Sequence, residues 1–383
     1  MPARAAAREL SESDVADLLD LGRAAGLDAV GIAGAEPLER ARAALVERRA
    51  RGLHAGMAFT YRNPDRSTDP ASAVRDARSI VVGARRYLMD EPTRPEEPSA
   101  RVARYAWVDH YEPLRVALRA VAAELRAAGW RAVVFADDNS IVDREVAWRA
   151  GIGWFGKNAN LLLPRAGSWF VLGCVITDAA LPPAPEPQPD GCGSCRRCLD
   201  GCPTAAIIEP GVVDANRCLS WLLQRPGAFP REHRDALGDR LYGCDDCQEV
   251  CPPNVRFADV ARRPVHDEPA PAGEPEAWVG LVDLLTADDE TILARLGRFY
   301  LHHREVRWLR RNALLVLGNV GDGADPATEA MLRRYLADAD PVLRAHAVWA
   351  AARLARQDLL PRSDTDPMVR AELDDLPMPR PTR

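Results

Sequence analysis

The stretch "CGSCRRCLDGCPTAA", running from Cys192 to Ala206, places four cysteines within eleven residues and follows the last of them with a proline. The spacing is Cys192-x2-Cys195-x2-Cys198-x3-Cys202-Pro203. Zinc sites usually pair two CxxC knuckles, four ligands in all. A third CxxC step ending in Cys-Pro is instead the bacterial ferredoxin pattern, in which three thiolates wrap one cubane and the fourth turns to a second cluster. This segment is therefore read as loop built around iron–sulfur rather than around an apolar core.

A second cluster needs four ligands of its own. "YGCDDCQEVCPPN" supplies Cys244-x2-Cys247-x3-Cys251-Pro252, one cysteine short of the first motif, and Cys218 in "DANRCLSWLL" fills the gap. The expected partition is Cys192, Cys195, Cys198 and Cys251 on one [4Fe–4S] cluster, and Cys202, Cys218, Cys244 and Cys247 on the other. These eight lie between Cys192 and Cys251; the ninth cysteine, Cys174 in "VLGCVIT", reads as a small buried core residue. A long chain that opens without an apolar export segment is not expected to be a disulfide scaffold.

Around this block the chain divides by composition. "LPPAPEPQPDG" (181–191) and "RRPVHDEPAPAGEPEA" (262–277) are Pro-rich connectors, "DEPTRPEEPSA" (90–100) is a Pro/Glu-rich loop, and "PMPRPTR" is a tail. The divisions expected are a catalytic domain over 1–180, a two-cluster module over 181–262 and a helical domain over 278–383. In the first, "AVGIAG", "SIVVGA", "AVVFA" and "WFVLGCVIT" read as buried strands. "SDVADLLDLGRAAGL" and "YEPLRVALRAVAAELRAAGW" read as amphipathic helices, with Ser13 as N-cap of the former. The fold class is α+β, with an N-terminal α/β sandwich. No GxGxxG follows a strand, so a dinucleotide fold has no support. In the last segment "LRRNALLVLGNV" from Leu309 matches "LRAHAVWAAARL" from Leu343, with a shorter echo at Val369. A helical repeat of about this length is a small solenoid, and its Asp-Pro entries resemble HEAT repeats.

Two cubanes close together conduct electrons, and a bare ferredoxin needs neither the domain before them nor the helices after. The electrons are expected to serve a cofactor bound in the N-terminal domain.

Several segments together resemble the epoxyqueuosine reductase family: "GLDAVGIAGAEPL", "GLHAGMAFTYRNPDRSTDP", "DDNSIVDREVAWRAGIGWFGKNANLL", "GSWFVLG", the cysteine block, "RLYGCDDCQEVCP" and "HREVRWLRRNALLVLGN". The resemblance covers most of the chain. It implies a cobalamin-binding N-terminal domain, a ferredoxin-like module with two [4Fe–4S] clusters and HEAT-like C-terminal helices. It further implies reduction of epoxyqueuosine to queuosine in the tRNA anticodon, by a cobalamin that enters as cob(II)alamin and is reduced through the clusters. The family's proton-donor aspartate falls on Asp137, six residues before Asp143-Arg144, with Asp138 as its immediate rival. An acid in a closed pocket has a raised pKa, which suits a donor at neutral pH. Cofactor contacts are expected from Arg66, Asp137, Lys157, Leu161, Ser220, Trp221, Tyr242 and Gly243. Where the family carries Asp-Tyr-His, this chain has Asp109-His110-Tyr111, the same groups in another order.

Charge bears on the partner. The formal charge is -6, so an RNA substrate requires a local basic face. "RLGRFYLHHREVRWLRRN" (295–312) offers one: on a helix with Val306, Leu309, Ala313 and Val316 buried, Arg304, Arg307 and Arg311 line another face and are expected to meet phosphates. Of the 50 Lys and Arg residues only Lys157 is lysine, which marks it as a site where a compact ammonium does what a guanidinium does not. The chain is expected to be a cytoplasmic monomer served by an external electron donor, with no membrane span. Two other readings stay open: an iron–sulfur electron-transfer protein with a helical docking arm and no corrin, and a corrin reductase with a different substrate.

Overall fold

The structure, a computed structural model, describes residues 7–262 and 273–380. Much of the connector 262–277 and the end of the tail lie outside them. Within them two compact units emerge: the described residues of 1–90, 108–216 and 246–273 form the first, and those of 91–107, 217–245 and 274–383 the second. Among the described residues no helix is long and apolar enough to cross a membrane.

The first unit is built on a four-stranded antiparallel sheet. Its strands are β1 (Ala29–Gly34), β2 (Ser79–Arg86), β3 (Ala132–Ala136) and β4 (Phe170–Thr177), in spatial order β1-β2-β4-β3. All four coincide with the apolar runs read from the sequence. Side chains alternate between the two faces of a strand, and β2 shows the result. Ile80, Val82 and Ala84 enter a core cluster with Val146 and Ala147 of helix α3 (Asp143–Arg149). Between them Gly83 faces the other way, toward helix α2 (Tyr111–Ala127), which buries Leu114, Ala117, Leu118, Val121, Ala122 and Leu125 at helical spacing. Gly83 pairs with Gly173 of β4, and a Cβ on Gly173 would lie 2.8 Å from Leu118 Cδ1. The two glycines make room for that leucine and let α2 lie close on the sheet.

Helix α1 (Glu12–Ala24) opens with a capping box. Its N-cap is Ser11, not Ser13, because Asp14 three residues on returns the hydrogen bond: Ser11 N donates to Asp14 Oδ2 at 2.8 Å and Asp14 N to Ser11 Oγ at 3.2 Å. At the start of α2, Asp109 Oδ1 accepts from the backbone N–H groups of Tyr111 (2.9 Å) and Glu112 (3.0 Å). His110 is buried, its ring 5.7 Å from that of Tyr87. The reordered Asp-His-Tyr run therefore spends its aspartate on a helix start and its histidine on the interior.

The second unit is mostly helical. A three-stranded sheet sets Ser99–Val102 between Arg240–Tyr242, parallel to it, and Trp278–Gly280, antiparallel. Helix α4 (Leu219–Gln224) precedes the C-terminal helices α5 (Arg307–Val320), α6 (Pro326–Leu336), α7 (Pro341–Arg353) and α8 (Pro367–Asp374). The last three each begin with proline after an aspartate whose carboxylate caps the helix: Asp325, Asp340 and Asp366. The repeat seen from Leu309 and Leu343 corresponds to α5 and α7, which pack on each other.

Candidate functional site

Asp137 follows directly on β3, whose last residue Ala136 pairs with Gly173. Its backbone is left-handed, φ 55°. For a residue other than glycine that is uncommon and marks a constrained turn. Solvent reaches the side chain, yet the surrounding protein removes enough water to hold its carboxyl above the usual carboxylate range. The Arg115 guanidinium pulls the other way and the Asp138 carboxylate adds to the rise. Asp138, the rival donor, is engaged in the turn: its Oδ1 accepts from Ser140 N at 2.7 Å. Asp143 is a carboxyl whose side chain the sequence offered only as a landmark. Its Oδ1 is buried with no hydrogen-bond partner among the described residues. Burial, helped by the Asp137 carboxylate, lifts its pKa well above the usual range, against the pull of Arg144. The end of β3 thus gathers acids that resist ionisation.

No disulfide joins any of the nine cysteines. Cys198 and Cys251 are both buried. Burial lifts the Cys251 thiol to about 11, and the neighbouring thiols of Cys192, Cys198 and Cys195 raise it further, while a backbone N–H from Asn254 works the other way. Cys251 therefore lies in the electrostatic company of the first three cysteines of the ferredoxin-like run. The sulfur of Cys202 accepts from Ala206 N at 3.2 Å. Backbone donors to sulfur stabilise thiolate and bound cluster alike, and they set cluster potential. Among the described residues no group of three His, Cys, Asp or Glu side chains closes to the geometry of a single metal ion. A cubane, with its four irons, spreads its thiolates more widely than one ion does. Of the remaining ligand candidates, Cys247 belongs to the first unit, and Cys218 and Cys244 to the second. Cys174 is fully buried in β4.

Side chains of the sheet domain fasten this block. Lys157 Nζ donates to the carbonyl oxygens of Gly193 (2.6 Å) and Cys195 (2.8 Å). Asn158 Nδ2 donates to Cys247 O at 3.2 Å. Gln248 and Asn254, beside Cys247 and Cys251, join Ser168 in a buried network: Gln248 Nε2 donates to Ser168 O (3.1 Å) and Asn254 Oδ1 accepts from Ser168 N (2.7 Å). The ammonium of Lys157 is engaged with the cysteine loop, a use that the expectation of a cofactor contact did not include. Gly153 and Gly156 of the same segment face Leu162 of their own hairpin.

The other expected cofactor contacts divide between the units. In the first, Arg66 is exposed and Leu161 has its side chain in the sheet's core cluster, leaving only its backbone for a ligand. In the second, Ser220 and Trp221 are partly accessible in the first turn of α4, directly after Cys218. Tyr242 is buried, its ring stacked on Phe299 at 4.2 Å and its hydroxyl accepting from Tyr300 N at 2.7 Å. Gly243 has φ 71°, and a Cβ there would come within 2.5 Å of Ala103 Cβ. Only glycine fits where the chain turns toward Cys244.

The expected arginine face is not a face. Val306, Leu309, Ala313 and Val316 are buried as expected, but so is nearly all of α5. Arg304 stands in an exposed turn ahead of the helix, with φ 58°. Arg307 is half-buried and paired with Asp340, Nε to Oδ2 at 2.9 Å. Arg311 is 0% exposed, with its guanidinium bound to backbone carbonyls of the segment 222–227. It does not reach solvent and is withdrawn from the phosphate contacts. The helical wheel failed because the face it assigned to solvent is covered by another part of the same unit.

Comparison with known proteins was consistent across sequence and structure. The 4Fe-4S double cluster binding domain family matches residues 191–254. An epoxyqueuosine reductase of Bacillus anthracis is 32% identical over 88% of this chain and 88% of its own length. That of Burkholderia pseudomallei is 34% identical over 91% of this chain and 95% of its own. Among solved structures, the Bacillus subtilis epoxyqueuosine reductase with its catalytic aspartate loop swung out of the active site superimposes with a TM-score of 0.84. It is 29% identical and covers 94% of this chain and 97% of that one. An epoxyqueuosine reductase with an epoxyqueuosine-modified tRNA-Tyr stem loop gives the same TM-score at 30% identity, over 94% and 96% of the two chains.

Proposed function

The chain belongs to the epoxyqueuosine reductase family, and we propose that it reduces epoxyqueuosine to queuosine in the wobble nucleotide of a tRNA anticodon, with Asp137 as proton donor. Removing an epoxide oxygen as water and leaving a double bond consumes two electrons and two protons. The observation that carries the reading is Asp137 itself, a carboxylic acid raised above its usual pKa at the constrained end of β3. An acid so placed keeps its proton nearer neutrality and can protonate the departing oxygen. Asp143, more strongly desolvated, is lifted further still and stands as a second protonated acid beside Asp137.

The two [4Fe–4S] clusters take Cys192, Cys195, Cys198 and Cys251, and Cys202, Cys218, Cys244 and Cys247. The coupling of Cys251 to the first three thiols supports this partition. Cobalamin is the cofactor we propose beyond the clusters, and when bound and reduced it supplies the electrons at the epoxide carbon. Arg66, Ser220 and Trp221 offer solvent-reachable guanidinium, hydroxyl and indole groups suited to corrin amides. Gly243 and the backbone of Leu161 offer peptide groups, and Asp137 the acid. Lys157 acts on the cluster side by holding its loop. Arg304 and Arg307 are the proposed phosphate contacts, the latter after release from Asp340.

The functional divisions we propose are catalytic over 1–180, ferredoxin-like over 181–262 and HEAT-like over 278–383; the compact units divide the middle one, with 217–245 in the second unit and the rest in the first. The proposed form is a cytoplasmic monomer reduced by an external donor. Anaerobic reconstitution with cobalamin tests the cofactor. Corrin absorbance that stays with the protein through gel filtration, and an EPR signal of base-off Co(II), are expected. Clusters without retained corrin would favour a plain iron–sulfur electron-transfer protein.

A further inference from the structure

Arg311 and Asn312 are adjacent on α5 and both are 0% exposed. The guanidinium of Arg311 reaches one end of α4. Its Nη1 donates to the carbonyls of Arg225 and Gly227, both at 2.8 Å, and its Nη2 to those of Leu222 (3.1 Å) and Leu223 (3.3 Å). Leu222 and Leu223 lie in the last turn of α4, and Arg225 is its C-cap. These are the carbonyls that a helix leaves unsatisfied, and a cation there is favourable. Asn312 accepts from Arg311 Nε (3.1 Å) and Nη2 (2.8 Å) through Oδ1. Its Nδ2 donates to Leu223 O at 2.8 Å and to Leu241 O at 3.0 Å.

The two segments so joined are those that present cysteines. The N-cap of α4 is Cys218. Leu241 stands three residues before Cys244, in the strand that ends at Tyr242 and the constrained Gly243. One side-chain pair therefore fastens the helix that starts at Cys218 and the strand that leads to Cys244. No carboxylate pairs with Arg311 among the described residues, its neighbours Arg225, Arg234 and Arg307 repel it, and burial pulls its pKa down to about 9. What offsets this burial is the set of backbone carbonyls the guanidinium serves, which its removal would leave without a donor.

We propose that Arg311 and Asn312 are positioning residues for the second cluster, holding Cys218 and Cys244 at fixed separation. The proposal rests on the reading of these two cysteines as ligands. Arg311→Met keeps the volume and removes the donors. After anaerobic reconstitution, iron is expected to fall from about eight to about four per chain, with the first cluster retained and some lowering of the melting temperature from the carbonyls left without a donor. The reduced protein is expected to show the EPR signal of one isolated cluster in place of two interacting ones. Arg311→Lys, which keeps the charge, should restore part of the second cluster. Asn312→Leu, which frees Leu241 O, should speed loss of the second cluster to a chelator and leave the first unchanged; this variant carries the test if Arg311→Met does not fold.

Cys218→Ala distinguishes a failure of the ligand reading from a failure of the brace. If it leaves both clusters intact, the ligand reading fails and the brace with it. If it removes one cluster while Arg311→Met and Asn312→Leu hold both as firmly as the parent, the brace alone is overturned. Loss of both clusters together with a lowered melting temperature in both variants would also overturn it, as that is ordinary structural damage.

Discussion

The ammonium of Lys157 donates to the carbonyl oxygen of Cys195 at 2.8 Å. A second bond to Gly193 O makes the chain's lone lysine a clamp on the loop that begins the ferredoxin-like run. Lys157→Met should release that loop at a cost of about 1.5–3 kcal/mol, the scale of a hydrogen bond from a charged donor. The cluster on Cys192, Cys195, Cys198 and Cys251 should then lose iron faster to a chelator. Removing a positive charge beside a cluster that gains an electron should also make its reduction potential more negative, read by EPR-monitored redox titration. Lys157→Arg should keep the potential closer to the parent's.

Asp137→Asn removes the proton and little else, because asparagine tolerates left-handed backbone as well as aspartate does. Turnover should fall by about two orders of magnitude or more, the scale of general acid catalysis, with iron content unchanged. In the parent, single-turnover rate should decline as pH rises through the raised pKa of Asp137, and that limb should be missing in the variant. The same raised pKa makes a stability prediction. The ionised carboxyl is penalised in the folded state, so its cost appears as pH rises above the unfolded value of about 3.9 and is absent below it. Asp137→Asn should therefore melt slightly higher than the parent at pH 7 and equally at pH 3.5, as far as folding persists there.

Gly243→Ala should destabilise the second unit. The added methyl meets Ala103 Cβ at 2.5 Å in a left-handed residue. Backbone strain and overpacking together suggest about 2–4 kcal/mol, visible as a lowered melting temperature.

His346 should make stability sensitive to acid. It is fully buried, accepts from Phe229 N at Nε2 (3.1 Å) and contacts Val342 O at Nδ1 (2.6 Å). Burial, with Arg234 and Arg311 adding to it, holds its pKa well below the usual imidazole value. A folded pKa below the unfolded one means that the contribution is complete above about pH 6.5 and is lost as pH falls. The drop in melting temperature between pH 7 and pH 5 should be smaller in His346→Gln than in the parent.

Much of this was legible in the sequence, for identifiable reasons. The four strands of the first unit show because each is a short apolar run bounded by turns. Lys157 stood out by its rarity among arginines, but its partners lie 36 and 38 residues away and no local pattern announces them. Asp137 came from a resemblance; its backbone strain and desolvation are products of the folded turn. Arg311 was misread because helical periodicity assigns faces without knowing what covers them. The carbonyls that bind it are between 84 and 89 residues distant. The capping of α1 by Ser11 turned on a reciprocal bond to Asp14 that the serine pair left undecided.

The central claim is best tested by anaerobic incubation of the reconstituted chain, carrying both clusters and cobalamin, with epoxyqueuosine-modified tRNA and a reductant, followed by nucleoside mass spectrometry. A nucleoside one oxygen atom lighter, queuosine, is predicted to form with the parent and about a hundredfold or more slower with Asp137→Asn. Epoxyqueuosine recovered unchanged from a protein shown to hold both clusters and the corrin would contradict it.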